Sequence, residues 1–149
     1  MNKFFSKTFL TSLFVKQNRW HKHSVLGHTL KVAFHAIKSG QFRFIGPALL
    51  HDVGKPFVAH QRNPKDKLNG HYSFTNHEEM SWHIIKNWPF ISDWTKDVVR
   101  HHYLIRDMYL SKEKGLVARG RRVGKRWEKI NPELKRDLEF FLFLDDAGK

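Results

Sequence analysis

The pair His51-Asp52, at the end of the run Ala48-Leu49-Leu50-His51-Asp52-Val53-Gly54-Lys55, constrains this chain more than any other feature. An apolar stretch closed by Gly54 suits a helix whose end presents an imidazole and a carboxylate at one point. That combination is ligand chemistry for first-row divalent metals, and two adjacent residues cannot complete a coordination sphere. Further ligands must come from distant segments, so the fold has to bring separate helices together. His28 upstream and Asp145-Asp146 near the C-terminus are the candidates. The chain has no Cys. Disulfides and thiolate ligands are thereby excluded, and the cytoplasm is the expected compartment.

The local patterning is helical. Ser24 can cap a helix running to Lys38, with Val25, His28, Val32 and Ala36 on adjoining faces and Ser39-Gly40 at its end. Pro47 suits the first turn of a second helix that stops at Gly54. Residues 56–72 carry the turn signals Asn63-Pro64 and Asn69-Gly70 and are expected as a polar loop. Thr75, with Glu78 three residues on, can cap a helix that ends before Pro89, and Ser92 can cap another through His102. Asn131-Pro132-Glu133 opens a last helix through Leu134, Leu138, Phe141, Leu142 and Asp145. No strand pattern or repeat competes with these, and the expected class is all-α, a single compact helical bundle with a basic loop before the last helix.

At 149 residues the chain is expected to form one domain, 1–149, around a single core. Within it, residues 1–20 read as an amphipathic N-terminal segment, with Phe5, Phe9 and Leu13 at helical spacing. Polar interruptions at Lys7, Thr8, Thr11 and Ser12, and the lack of a cleavage site, make it structure rather than a targeting signal. No transmembrane segment is expected, and the sequence sets no oligomeric state.

Charge is the second strong signal. Lys and Arg number 27 against 14 Asp and Glu, a formal net charge of +13. The excess concentrates in residues 112–136, and residues 112–130 read as a basic insertion. Arg121, Arg122, Lys125 and Arg126, with Arg119 nearby and Trp127 beside them, form a set that can hold phosphates and stack a base. A solvated charged loop is the alternative reading.

The motifs His28-Thr29-Leu30-Lys31-Val32, Leu49-Leu50-His51-Asp52-Val53-Gly54-Lys55-Pro56, His71-Tyr72 to His77-Glu78, His101-His102 and Asp146 together resemble the HD superfamily of metal-dependent phosphohydrolases. The resemblance implies that His28, His51, Asp52 and Asp146 hold a metal; its register of a small residue after the Asp favours Asp146, before Ala147-Gly148, over Asp145, which is then expected at the surface. It also implies that His77, His101 and His102 bind a second metal or the substrate phosphate. Lys55 would meet a phosphate as a point charge. The cofactors implied are one or two divalent transition metal ions, Mn, Fe, Ni, Co or Zn, with manganese among the candidates. Such a centre acidifies water and needs no Ser or Cys nucleophile.

Within the superfamily, the stretch from Trp20 to Leu30 and Leu50 to Phe57 looks like the HD domains of tRNA nucleotidyltransferases and RNA-end-healing kinases. Those act as 2′,3′-cyclic phosphodiesterases and phosphatases. The resemblance thus implies a phosphoester of a nucleotide or nucleic-acid end as substrate, with RNA as a candidate partner and His21 and His23 at the substrate mouth. The chain lacks the carboxylate that deoxynucleotide-hydrolysing members place after the pair, since no Asp or Glu lies between Asp52 and Asp66. It also lacks the acidic dipeptide of alarmone hydrolases. Two rival readings remain: a cyclic-nucleotide or signalling-dinucleotide phosphodiesterase, and a non-catalytic basic nucleic-acid-binding protein on the same scaffold.

Overall fold

Ser24 starts the first helix, α1 (Val25–Lys38), by accepting a hydrogen bond from the Gly27 backbone N–H at 3.2 Å. The computed structural model describes residue 14, residues 24–61 and residues 63–149. The expectations for Phe5, Phe9, Leu13, His21 and His23 lie outside the described residues. After α1 a 3₁₀ turn at Phe42–Phe44 leads into α2 (Ile45–Leu50), with Pro47 in its first turn. A short α3 (Lys55–Val58) follows the His-Asp pair.

The stretch expected as a polar loop contains a further helical turn. Asn63 caps α4 (Pro64–Leu68) by accepting from the Asp66 N–H at 2.8 Å, so the Asn-Pro signal opens a helix rather than a simple turn. Next come α5 (His77–Ile85) and α6 (Asp93–His101). Ser92 caps α6 as expected, but α5 enters through Asn76 in the left-handed region (φ 59°) with no side-chain cap, not through Thr75. Then α7 (Leu104–Glu113) and α8 (Val117–Glu128) precede the last helix, α9 (Pro132–Ala147), which Asn131 caps by accepting from the Leu134 N–H at 2.8 Å. The basic stretch expected as a loop is therefore largely the helix α8: Val123 is its buried anchor, and Arg121, Arg122 and Lys125 are exposed. Among the described residues there is no strand; His60 and Ser73 form an isolated bridge. The class is all-α.

The helices meet because each has an apolar stripe. Val32 and Ala36 from α1, Ala48 from α2, Val98 from α6 and Leu138, Phe141 and Leu144 from α9 form one buried cluster closed below by Phe44. Replacing a buried aromatic such as Phe141 by Ala would cost about 3–5 kcal/mol, through lost burial and the cavity left behind. Asp137, also buried, ties α9 to its neighbours: it pairs with Arg43 and accepts from the Trp94 indole N–H at 2.8 Å. No described helix is long and apolar enough to cross a membrane.

Candidate metal centre

His28 sits one turn into α1, His51 and Asp52 follow the end of α2, His77 opens α5, His102 follows α6, and Asp145 lies in the last turn of α9. All except Asp145 are fully or almost fully buried. Two close approaches make this convergence possible. A Cβ at Gly54 would lie 2.5 Å from the His77 carbonyl oxygen and 2.5 Å from the Ser81 nitrogen, so only glycine lets the turn after the His-Asp pair press onto α5. A Cβ at Gly148 would lie 2.6 Å from Val32 Cγ2 and 3.3 Å from His28 Nδ1, so glycine also lets the end of α9 reach α1.

The backbone sets the orientation of each imidazole. His51 Nδ1 lies 2.8 Å from the Ala48 carbonyl, His77 Nδ1 2.9 Å from that of Phe74, and His102 Nδ1 2.7 Å from that of Val99. His28 Nδ1 lies 3.2 Å from the Gly148 carbonyl. A carbonyl can only accept, so every Nδ1 carries the proton and every Nε2 is turned inward. The Nε2 atoms then face each other in pairs, His28 to His51 at 3.3 Å and His77 to His102 at 3.2 Å.

Around these nitrogens the donor atoms fall into two sets. His28, His51 and Asp145 make one, and Asp52, His77 and His102 the other, with the ligand atoms of each set within 4.8 Å of one another. Asp52 joins them. Its Oδ2 is 3.2 Å from His51 Nε2 and 3.6 Å from His28 Nε2, while its Oδ1 is 3.5 Å from His77 Nε2. Neither oxygen accepts a well-aligned hydrogen bond, although the Lys55 ammonium approaches Oδ2 to 2.6 Å as an ion pair.

The electrostatics separate the two sets. Burial pulls the His51 imidazole down, but Asp52 and Asp145 together outweigh it and raise its pKa to about 9. Burial opposes ionisation of Asp52, yet His51 and Lys55 hold its carboxyl well below the usual range. Asp145 is likewise held low, by the His28 and His51 side chains acting against burial. His77, by contrast, is pushed down to about 4 by burial, and burial also takes His102 well below the ordinary imidazole value. In the first set a proton on His51 stands where a cation would balance two carboxylates. The second set has no such proton, so two neutral imidazoles direct lone pairs at each other beside an ionised carboxylate. The donor set therefore fits divalent metal at both positions, with a backbone acceptor behind every imidazole.

A family model described as HD domain matches residues 25–138. The chain belongs to the HD-domain family. No curated protein and no solved structure matches it. Membership carries with it metal-dependent phosphohydrolase chemistry. The matched span of this HD domain includes His28, His51, Asp52, His77 and His102 and ends before Asp145.

Three expected site residues lie elsewhere or in different company. Asp146 does not enter the HD centre: it is half exposed and pairs with Lys149 and with Arg106, the latter at 2.7 Å. Asp145, expected at the surface, places Oδ1 2.8 Å from His28 Nε2. The cause is helical phase, since Leu138, Phe141 and Asp145 follow one another at three- and four-residue steps on the buried side of α9 and the next residue turns about 100° away. That stripe was the available signal. His101 is separated from His102 for the same reason: burial, then the Arg126 and Arg100 charges, push its pKa down to about 4, and it joins neither donor set. Lys55, expected to meet a phosphate, is buried against Asp52.

Two residues escape sequence reasoning altogether. The Ser81 hydroxyl donates to the His51 carbonyl at 2.7 Å and accepts from the Gly54 N–H at 2.9 Å, clamping the His-Asp turn to α5. Arg106 holds the second oxygen of Asp145 at 3.0 Å and also binds Asp146, which fixes the rotamer that aims Oδ1 at His28. Neither residue belongs to a motif.

Proposed function

We propose that this HD domain hydrolyses a phosphoester of a nucleotide or a nucleic-acid end, as a 2′,3′-cyclic phosphodiesterase or phosphatase. The observation that carries the reading is the opposed pair His77 and His102, Nε2 to Nε2 at 3.2 Å beside Asp52. Two neutral imidazoles whose ring protons are committed to backbone carbonyls repel at that separation, and a cation between them relieves the repulsion. His28, His51 and Asp145 would hold one divalent ion, His77 and His102 a second, and Asp52 would bridge them. Divalent ions there would supply Lewis acidity towards a phosphoryl oxygen and lower the pKa of water.

The chain's own side chains do the rest. The raised pKa of His51 means that the first set must lose a proton on loading, while the second set is already neutral. Lys55 brings a positive charge into the same buried space, where it can offset charge developing on phosphate oxygens. His101, next to His102 in the chain but outside both donor sets, is half-buried and feels the charges of Arg126 and Arg100. The absence of a carboxylate between Asp52 and Asp66 supports a substrate other than a deoxynucleoside monophosphate.

The test is a panel of phosphomonoesters, 3′,5′-cyclic nucleotides, cyclic dinucleotides, nucleoside triphosphates and RNA 2′,3′-cyclic ends, each assayed with Mn, Fe, Co, Ni and Zn. Chelator-sensitive opening of 2′,3′-cyclic ends supports the proposal. Preference for 3′,5′-cyclic nucleotides or cyclic dinucleotides would replace it with a signalling phosphodiesterase, and protein that takes up none of these metals and is inert towards every substrate would replace it with a binding scaffold.

A further inference from the structure

Outside the metal centre, the strongest feature of the described residues is the outward face of α8. Arg121, Arg122, Lys125, Arg126 and Lys129, with Ala118, line a surface hollow of about 440 Å³. None of these five cations has an ion-pair or hydrogen-bond partner among the described residues. By contrast Arg43 meets Asp137, Arg100 meets Glu79, Arg106 meets Asp145 and, on α8 itself, Arg119 meets Asp107. The spacing makes the face costly. Arg121 and Lys125, Arg122 and Arg126, and Lys125 and Lys129 are like charges one turn apart, each pair destabilising a helix by roughly 0.2–0.5 kcal/mol. A face that costs stability and finds no ion-pair partner among the described residues is complementary to an external polyanion.

We propose that this face of α8 is a docking track for the sugar-phosphate backbone of a single-stranded nucleic acid. From Arg121 to Lys129 the helix rises about 12 Å, enough for on the order of two to four phosphates at single-strand spacing. Three of the five cations are arginines, whose planar forks suit phosphate oxygens. An anionic membrane is the less suitable partner: beyond Ala118 the hollow offers no apolar side chain to insert, and interfacial helices rely on such insertion. Trp127 does not take part, because it packs against the core with the Lys135 ammonium 5.4 Å over its ring. Base stacking on Trp127, expected from the sequence, is thus replaced by backbone contact alone.

The docking rests on the charge pattern of α8 alone, independently of the phosphohydrolase reading.

Binding of a short fluorescein-labelled oligouridine to the chelator-treated full-length protein, followed by anisotropy across a salt series, tests the proposal without turnover. The variant Arg121→Gln/Arg122→Gln/Lys125→Gln/Lys129→Gln should bind more than about tenfold more weakly at low salt, with a salt slope reduced by about 2 to 3, from roughly 0.7 per lost phosphate contact. Lys38→Gln/Lys65→Gln/Lys67→Gln, which removes exposed charge from α1 and α4, should bind as wild type does. Wild-type affinity in the α8 variant, equal loss in both variants, or binding to phosphatidylserine vesicles without binding to oligouridine would each overturn it. Since the assay uses chelated protein, its failure leaves the hydrolysis panel standing, and failure of the panel leaves the binding result standing.

Discussion

The metal centre and the outer face of α8 both gather charge, and they treat it in opposite ways. In the centre, Asp52 and Asp145 are interleaved with His51, Lys55 and Arg106, and each carboxylate sits within ion-pair reach of a nitrogen. On the outer face of α8, Arg121, Arg122, Lys125, Arg126 and Lys129 stand beside one another with no ion-pair partner among the described residues. A buried site cannot tolerate unbalanced charge, so its function is legible from which groups face each other. A solvated face tolerates imbalance, and there the missing partner is the informative feature.

The largest expected effect separates the regions completely. Asp52→Asn removes the carboxylate that faces both donor sets and should lower phosphoester hydrolysis by more than about 100-fold, beyond the 10–100-fold typical of groups behind the ligands. Wild-type turnover in this variant would dissolve the distinction between centre and surface.

Next in size is the boundary between inside and outside at Asp145-Asp146. Asp145→Asn should cost about 100-fold in activity, and Asp146→Asn, on the solvent side of α9, no more than about threefold. The reverse ranking, read from kcat/KM of the two variants, would return the ligand to the position favoured by family register.

Proton linkage gives a smaller effect. The folded pKa of His51, about 9, exceeds its ordinary 6.5, so the imidazolium contributes stability to the metal-free protein fully below about pH 6.5. That contribution is lost as pH rises through 9. Thermal unfolding of chelated protein should show Tm falling across this window, and a His51→Gln variant should lack that fall. A flat Tm in the parent would remove the proton from between the carboxylates.

Smallest is the effect of α8 on stability. Its quadruple Gln variant should unfold at the parent Tm or a few degrees above it at low salt, because like-charge repulsion is relieved. A marked loss of Tm would mean that these cations serve the fold.

Much of this was legible from the residues. Ser24, Ser92 and Asn131 announce their helices by local capping chemistry, and the grouping of His28, His51, Asp52, His77 and His102 was implied by the family resemblance. Less local features were not. The helix at residues 117–128 is hidden by Gly120, Gly124 and adjacent cations, which read as loop, while its buried contacts, through Val123 and the half-buried Trp127, are tertiary. Asp145 was legible from the Leu138 and Phe141 stripe but lost to a motif register. Ser81 and Arg106 act across the chain and leave no pattern along it.

The central claim is that the two donor sets joined by Asp52 each hold a divalent ion. Titration of Mn²⁺ into chelator-stripped full-length protein, followed by calorimetry, tests it most directly: the expected result is two equivalents per chain for the wild type, and one equivalent or fewer would contradict it.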